Sequence, residues 1–498
     1  MIKDNHFSEK KKEKKNYHSA NILLIGCGPH AKRIYLPLIK KFRKRVDLKC
    51  VVDIEDKKKD VLKHLGSTDC QAYFIPKNNM TYNKLHKNVK RDLAQIVKQN
   101  KINAVIISTE PLTHVMYSKW ALGQNLSILL DKPVSTYQGV STSSKLAKRI
   151  LKDYDDLANI YRKKNGISFS LMSQRRFHPS FRKIKKIIEE CKDKTNCPVT
   201  SIQSFHCDGQ WRMPSEIVDQ LYHPYFQGYG KCSHSGYHFF DIVPFLINPS
   251  YSKDKLYDEI SAYSTATRPL DFLQQLNLKD YENIFGSKLF RKYNKYSKED
   301  YNKKMRKYGE IDAFTSLEFK KKGKTMTLAS INLVHNGFAR RDWVTAKGKD
   351  LYKGNGRVRQ ESHIIQQGPF QAIHYHSYQS KEINPRKRKN LYDLGEEYHS
   401  DIYVFKNNKI IGGKNFEKIS IGDLNTKMMD SNSRGHQEDA RAHGFLEFIE
   451  FIEGKRRKEE MTSDFLSHRM GSLITSLIYR SIASQYNNKN PKMRIKIK

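Results

Sequence analysis

The order of apolar and polar residues divides the chain into two parts. In the first part, short and almost wholly apolar runs alternate with longer amphipathic stretches. This pattern is typical of strands buried on both faces and the helices that cover them. The β-α-β-α-β order predicts an α/β domain at 21–165 with a doubly wound parallel sheet. The predicted strands are 21–25, 47–53, 72–76, 104–108 and 127–130.

From about residue 166, longer runs appear in which apolar and polar residues alternate, as in strands with one solvent-facing side. They predict an α+β domain at 166–498, built on an open, mostly antiparallel sheet. Residues 167–176 are predicted to form its first strand, and a helix is predicted from Pro179. The other predicted strands are 199–206, 313–319, 325–334, 357–366, 372–378 and 402–411, and the closing helices are 439–452 and 463–484.

The net charge of +39, from 91 Lys and Arg residues against 52 Asp and Glu residues, raises the question of a polyanionic partner. The lysines are spread over the whole length, without an arginine-rich arm or an aromatic RNA-binding signature. We therefore do not expect nucleic acid as a partner. Residues 1–20 predict a mobile basic tail, and 286–308 predict a basic, tyrosine-rich helical insertion.

The seven cysteines are scattered and include no C-x-x-C pair, which favours a reducing compartment. The chain shows neither an export signal nor a run of about 18 apolar residues, so we expect a cytoplasmic protein without membrane contact. The histidines and cysteines of 206–238 lack zinc spacings, apart from the pair His234 and His238. No metal is expected.

A glycine turn follows the first predicted strand, in the order that a dinucleotide site requires. Gly26 permits the turn, Gly28 lets the backbone approach a pyrophosphate, and Ala31 stands where helix packs on strand. Asp53 ends the second predicted strand, where a carboxylate accepts hydrogen bonds from an adenosine ribose. This favours NAD over NADP, although the lysines at 57–59 could reverse that preference, and an ordinary acidic strand end remains the alternative.

Polar residues also follow the fourth and fifth predicted strands. The segment 108–114, STEPLTH, follows one strand, and Asp131-Lys132-Pro133 follows the other. Because the carboxyl ends of parallel strands share one edge of a sheet, we expect a ligand there.

The succession GCGPHA, VVD, STEPLTH and LLDKP resembles the Gfo/Idh/MocA family of NAD(P)-dependent sugar and polyol oxidoreductases. The family's usual strings are G-x-G-x-x-A, an acid, T-x-P-x-x-H and E-K-P, and the resemblance covers most of 21–484. It implies a Rossmann domain and NAD or NADP as cofactor. The implied cofactor contacts are Gly26, Cys27, Gly28, Pro29, His30, Ala31, Asp53, Ser108, Thr109, Pro111, His114 and Asp131.

The resemblance also implies the catalytic groups. Gly236, His238 and Asp241 fall on the family's motif D-x-G-x-H-x-x-D, with His238 as acid/base and Lys132 orienting substrate and cofactor. His234 stands where the motif has its first acid, which removes a negative charge that would hold a protonated His238. His234 itself could bind substrate or pass protons.

The expected substrate contacts are Arg176, Tyr237 and Asp241. Arg175 and Arg176 are both candidates for a contact with the cofactor or an anionic substrate group, and surface arginines are the alternative.

The reaction so implied is hydride transfer between nicotinamide and a secondary hydroxyl or keto group of a sugar, polyol or sugar derivative. A homo-oligomer formed through the C-terminal sheet is also implied. A catalytically weak or inactive regulatory protein that binds the cofactor is the first alternative. An enzyme for imines, tetrapyrroles or dihydrodiols and a nucleic-acid-associated protein are the others.

Overall fold

The computed structural model describes residues 19–66, 69–344, 356–380, 390–424 and 435–497. Most of the predicted basic tail, residues 1–18, lies outside these ranges. Ala20, which we expected in the tail, already belongs to the first strand.

Six parallel strands form the first sheet in the order β3-β2-β1-β4-β5-β6, which confirms the predicted doubly wound fold. The central strands are buried on both faces because nearly every side chain in them is apolar. The strands are β1 Ala20–Ile25, β2 Val46–Ile54, β3 Gln71–Ile75, β4 Ala104–Ile107, β5 Ser127–Leu130 and β6 Phe169–Leu171. The helices are α1 Pro29–Arg33, α2 Tyr35–Lys41, α3 Lys58–Leu65, α4 Lys87–Gln99, α5 His114–Gly123 and α6 Ser144–Arg162.

The run 167–176, predicted as the first strand of the second domain, is divided differently. Its apolar part is β6, which pairs in parallel with β5 and therefore completes the first sheet. Phe169 stacks on Phe465 with ring centroids 4.0 Å apart, and this long-range contact is invisible in a local pattern. The polar residues that follow form the short helix α7, Gln174–Phe177.

Nine strands form the second sheet in the order β14-β13-β12-β11-β7-β10-β9-β8-β15. All neighbours are antiparallel except β7 and β10, which confirms the predicted open, mostly antiparallel sheet. The strands are β7 Ser201–Gln210, β8 Glu259–Thr267, β9 Asp312–Lys321, β10 Lys324–Asn336, β11 Val358–Gln367, β12 Gln371–Ser380, β13 Asp401–Lys406, β14 Phe416–Ser420 and β15 Met493–Lys496.

Helices cover one face of this sheet and leave the other open. The covering helices are α8 Pro179–Thr195, α10 Tyr237–Ile247 and α18 Arg469–Tyr486, joined by α6. None of the described helices has both the length and the apolar character needed to cross a bilayer. The remaining helices of this part are α9 Pro214–Asp219, α15 Asn408–Ile411, α16 Ile421–Leu424 and α17 His436–Ile452.

The predicted strand 402–411 ends at Lys406, because the polar Asn407 and Asn408 interrupt it and α15 begins there. The predicted helical insertion at 286–308 is helical, and it is part of a larger unit. Its helices are α11 Pro269–Gln275, α12 Leu278–Phe285, α13 Ser287–Tyr293 and α14 Lys298–Met305. Tyr281, Phe290 and Tyr301 give this unit an apolar core of its own.

Candidate active site

A cavity of about 1200 Å³ runs from the glycine turn after β1 to the start of α10. The carboxyl ends of β1, β2, β4 and β5 border one end of it, as expected for a doubly wound sheet. We call the other end the histidine end, because His206, His223, His234 and His238 line it.

The two glycines of the turn have different physical roles. Gly26 has φ +88°, and a Cβ there would lie 2.5 Å from the carbonyl oxygen of Ser108, so the fold itself requires glycine. Gly28 has ordinary backbone angles, and a Cβ there would meet nothing within 4 Å. Gly28 lines the cavity, and a Cβ would therefore occupy space open to a ligand.

Asp53 lies at the end of β2 and lines the cavity, as predicted for a ribose-binding acid. Its carboxylate accepts hydrogen bonds from the backbone N–H of Cys27 at 2.8 Å and of Ile54 at 2.7 Å. Lys57 and Arg33 line the same region, so positive charge lies near the acid, as the sequence suggested for 57–59.

Side chains after β4 and β5 bind each other across the strand ends. Ser108 Oγ donates to Asp131 Oδ2 at 2.6 Å, the Tyr35 hydroxyl donates to Asp131 Oδ1, and His30 Nε2 lies 3.7 Å from that carboxylate. His114 is buried and bridges the two loops, with Nδ1 2.7 Å from the carbonyl oxygen of Pro133. The predicted cofactor residues therefore line the cavity, except Ala31 and His114, which pack behind it.

Lys132 lies where the two ends of the cavity meet. Its Nζ donates a hydrogen bond to the backbone carbonyl oxygen of His234. Burial lowers the pKa of Lys132 to about 8, against the opposing effect of Asp131. At neutral pH this amine is mostly protonated and still able to exchange its proton.

His234 and His238 lie one turn apart where the π-helical turn Cys232–Gly236 continues into α10. His234 stacks on His223 with ring centroids 4.7 Å apart, and neither of its ring nitrogens has a hydrogen-bond partner among the described residues. Burial, with Arg175 and Lys132 nearby, lowers the pKa of His238 well below its usual value. His238 is therefore neutral at pH 7 and can accept a proton.

Arginines and one carboxylate complete the histidine end. Arg175, Arg357 and Arg359 line the cavity there, and Asp208 from β7 lies among them. Arg441 of α17 also lines the cavity. Local pattern gives little signal for these residues, since Arg357, Arg359 and Glu361 occupy alternate positions that resemble a solvent-facing strand side.

The three predicted substrate contacts lie elsewhere, which corrects that expectation. Arg176 donates to both carboxylate oxygens of Asp241, at 2.9 and 2.6 Å, and His468 Nδ1 lies 2.9 Å from the same carboxylate. Tyr237 is buried beside His468. None of the three predicted residues lines the cavity, because Arg176 of α7 and Asp241 of α10 bind each other in a buried cluster and Tyr237 is buried beside it.

Residues 20–153 match a family model, Gfo/Idh/MocA, described as an oxidoreductase family with an NAD-binding Rossmann fold. The match is confined to the N-terminal domain, which is similar to this family over these residues. The match confirms the resemblance seen in the sequence motifs over these residues, and no curated protein matches the chain.

Several solved oxidoreductase structures share the fold over most of the chain. An Agrobacterium radiobacter oxidoreductase in complex with NAD+, L-tartaric acid and magnesium is 12% identical, with coverage of 96% of this chain and 98% of that one and a TM-score of 0.55. An aldose-aldose oxidoreductase from Caulobacter crescentus complexed with glycerol is 12% identical, with coverage of 96% of this chain and 100% of that one and a TM-score of 0.54. A myo-inositol 2-dehydrogenase from Lactobacillus plantarum is 13% identical, with coverage of 97% of this chain and 100% of that one and a TM-score of 0.51. At these identities the likeness shows the fold.

The cavity fits the dinucleotide that this family binds. The space beside Gly28 is open, Asp53 lies at the end of β2, and Thr109 and Pro111 border the next strand end. The space beside Gly28 would hold the phosphates, and Asp53 would hold the adenosine ribose. Thr109 and Pro111 would contact the nicotinamide half.

Proposed function

We propose that the chain catalyses hydride transfer between NAD or NADP and a secondary hydroxyl or keto group of a sugar, polyol or sugar derivative. One observation carries the proposal: a single cavity joins the glycine turn of the Rossmann domain to Lys132 and His238. A cofactor and a polyhydroxy substrate could occupy its two ends together.

His238 and Lys132 have different roles in the proposed reaction. When bound, the nicotinamide accepts or supplies the hydride. Neutral His238 accepts the proton of the substrate hydroxyl during oxidation and returns it during reduction. The ammonium of Lys132 donates a hydrogen bond to the same oxygen and stabilises the negative charge that develops there. The partly enclosed cavity strengthens this interaction by excluding bulk water.

For the cofactor we favour NAD. The carboxylate of Asp53 would accept hydrogen bonds from the ribose hydroxyls and would repel a 2′-phosphate. Lys57 and Arg33 line the cavity nearby and weaken this preference. The seven cysteines are free thiols, which supports the proposal that the protein acts in a reducing compartment, the cytoplasm.

The open face of the second sheet supports the proposal of a homo-oligomer. Tyr263, Phe314, Leu328 and Phe405 stand on that face, each about half exposed. Such apolar side chains on an uncovered sheet are suited to a second copy of the same surface.

A regulatory protein without turnover is the second candidate. His234 stands in place of the motif acid, and His238 Nδ1 has no hydrogen-bond partner among the described residues. No described carboxylate therefore orients this imidazole directly.

Turnover by wild type and Lys132→Ala separates the candidates. We expect wild type to oxidise a member of a sugar and polyol panel with NAD or NADP. Lys132→Ala should lose roughly 10²- to 10³-fold in kcat, because the hydrogen bond that stabilises the developing negative charge is removed. It should bind NADH with unchanged affinity. Cofactor binding without any turnover in wild type would favour the regulatory protein, and an unchanged kcat in the variant would contradict the role of Lys132.

A further inference from the structure

Two carboxylates at the histidine end are each bound by two cations. Glu361 lies behind the cavity wall and accepts hydrogen bonds from Arg175, at 2.8 and 2.6 Å, and from Arg359, at 2.9 Å. Asp208 accepts from Lys231 and from Arg357, the latter at 2.9 Å. With two arginines and one carboxylate, the Glu361 cluster therefore carries one net positive charge.

Two further cations at this end each have a carboxylate nearby. Arg441 lies 3.3 Å from the carboxylate of Glu438, and the charge of Asp131 favours the protonated form of Lys132. Burial lowers the pKa of His206 and His238 well below the usual value, so both rings are neutral at pH 7. The excess positive charge remains beside the cavity.

One donor of Arg175 is unused. Nε and Nη2 bind Glu361, whereas Nη1 is buried and has no hydrogen-bond partner among the described residues. The guanidinium lies 4.4 Å from the ring centroid of Phe239, which fixes its orientation. A buried donor without an acceptor is costly, and a ligand in the cavity that Arg175 lines would remove this cost.

We propose that the substrate carries an oxyanion group, the carboxylate of a sugar acid or the phosphate of a sugar phosphate, that binds Nη1 of Arg175. This inference rests on the proposed function, because it places the reacting carbinol at Lys132 and His238 and the oxyanion beside Arg175. Arg359 shares Glu361 with Arg175 and adds a second positive charge on the same side. Charge-assisted hydrogen bonds of arginine to such oxyanions are strong and geometrically specific.

Arg175→Lys tests the inference, with Arg176→Lys as the matched control. Both arginines have 5% exposed side chains, and both bind a buried carboxylate through two nitrogens, but only Arg175 lines the cavity. Lysine keeps a positive charge opposite Glu361 and removes the free Nη1 donor.

The measurement is binding to the NADH-saturated protein by calorimetry, followed by turnover. The probes are hexitols of several configurations, each as the neutral polyol, the aldonate and the 6-phosphate. We expect wild type to bind one anionic series at least about tenfold more tightly than the neutral series, and Arg175→Lys to lose about that factor. Arg176→Lys should keep the preference, and the better anion identifies carboxylate or phosphate.

The outcomes separate this inference from the proposed function. Wild type that binds NADH but prefers neutral hexitols, or binds all three series equally, overturns the oxyanion and leaves the hydride transfer standing. An equal loss in Arg175→Lys and Arg176→Lys overturns it too, because disruption of a buried ion pair would then explain the effect. Failure to bind either NADH or NADPH would instead overturn the proposed function.

Discussion

Burial of Lys132 sets the pKa of the group that we propose stabilises the reacting oxygen. Its ammonium is held by the carbonyl oxygen of His234, while its partly enclosed position lowers its pKa to about 8. The charged form stabilises a developing oxyanion far better than the neutral amine, because it adds a positive charge to the hydrogen bond. Burial thus brings the pKa of Lys132 close to neutral pH.

A pH dependence follows from this value. In the direction of alcohol oxidation, in which neutral His238 is the base, kcat/KM should fall as pH rises through about 8, because Lys132 loses its proton there. Lys132→Arg, whose guanidinium stays charged, should move the fall to higher pH. The measurement is the pH profile of alcohol oxidation for both proteins. A wild-type profile that is flat across this range would contradict the role of the ammonium.

Gly26 and Gly28 belong to one motif, but the first is required by the fold and the second by the space for a ligand. The positive φ and the close approach of Ser108 make Gly26 a requirement of the fold. Gly28 lies in open space with ordinary backbone angles, so only a ligand would select against a side chain there. Substitution of Gly28 thus separates binding from folding.

At the scale of elements, the buried cluster around Asp241 joins α7, α10 and the start of α18. The carboxylate of Asp241 binds Arg176 and contacts His468. Burial alone would raise the pKa of Asp241, but the Arg176 and His468 charges hold it well below the usual value. The cluster fixes the orientation of α10, and hence of His238.

Asp241→Asn should lower the free energy of unfolding at pH 7 by about 3–5 kcal/mol, because Arg176 is left buried without its counter-charge. Since the folded pKa is depressed, the wild-type contribution is present above the unfolded pKa of about 4 and is lost as pH falls below it. Urea unfolding at pH 7 and pH 3 measures both effects. The control Asp155→Asn removes an exposed pair with Arg469 and should cost less than about 1 kcal/mol. Equal losses in the two variants would contradict the structural role.

The sequence predicts those elements whose burial appears in the local pattern. The strands β1, β4 and β5 are apolar at nearly every position, and all were predicted within a residue or two. The position of β6 was wrong because its contact with β5 and Phe465 is set by the tertiary fold. The inward polar residues of β11 were missed because Glu361 and His363 occupy the buried face of an alternating strand.

In the candidate site, too, the sequence predicted some residues and could not decide others that depend on the tertiary fold. Lys132 and His238 were predicted from motif positions, and both line the cavity. Arg175 and Arg176 are adjacent in a short helix and point to opposite sides, so spacing alone could not decide which one meets the cavity. The sequence prediction selected Arg176, whereas the structure places Arg175 there.

At the scale of the whole molecule, the second sheet leaves one broad face uncovered. Side chains of β8, β9, β10 and β13 form it, and helices cover the opposite face. A stable dimer buries about 800 Å² on each partner, which a nine-stranded sheet readily provides.

Leu328→Glu should therefore weaken or abolish self-association, because it places a charge in the centre of the apolar patch. Light scattering after size-exclusion chromatography measures the mass of wild type and variant. Leu62→Glu is the control, since Leu62 is an exposed apolar residue of α3 in the other domain. A wild type that is monomeric at all concentrations would contradict the proposed interface.

Titration of NADH and NADPH by fluorescence into wild type, Gly28→Ala and the control Gly123→Ala tests directly whether a dinucleotide binds at the glycine turn. A Cβ meets no protein atom within 4 Å at either glycine, and only Gly28 lines the cavity. We expect wild type to bind, NADH more tightly than NADPH, and Gly28→Ala to lose about tenfold or more in affinity at an unchanged Tm. Gly123→Ala should bind like wild type. Absence of binding in wild type, or equal affinity in Gly28→Ala, would contradict a dinucleotide at the glycine turn.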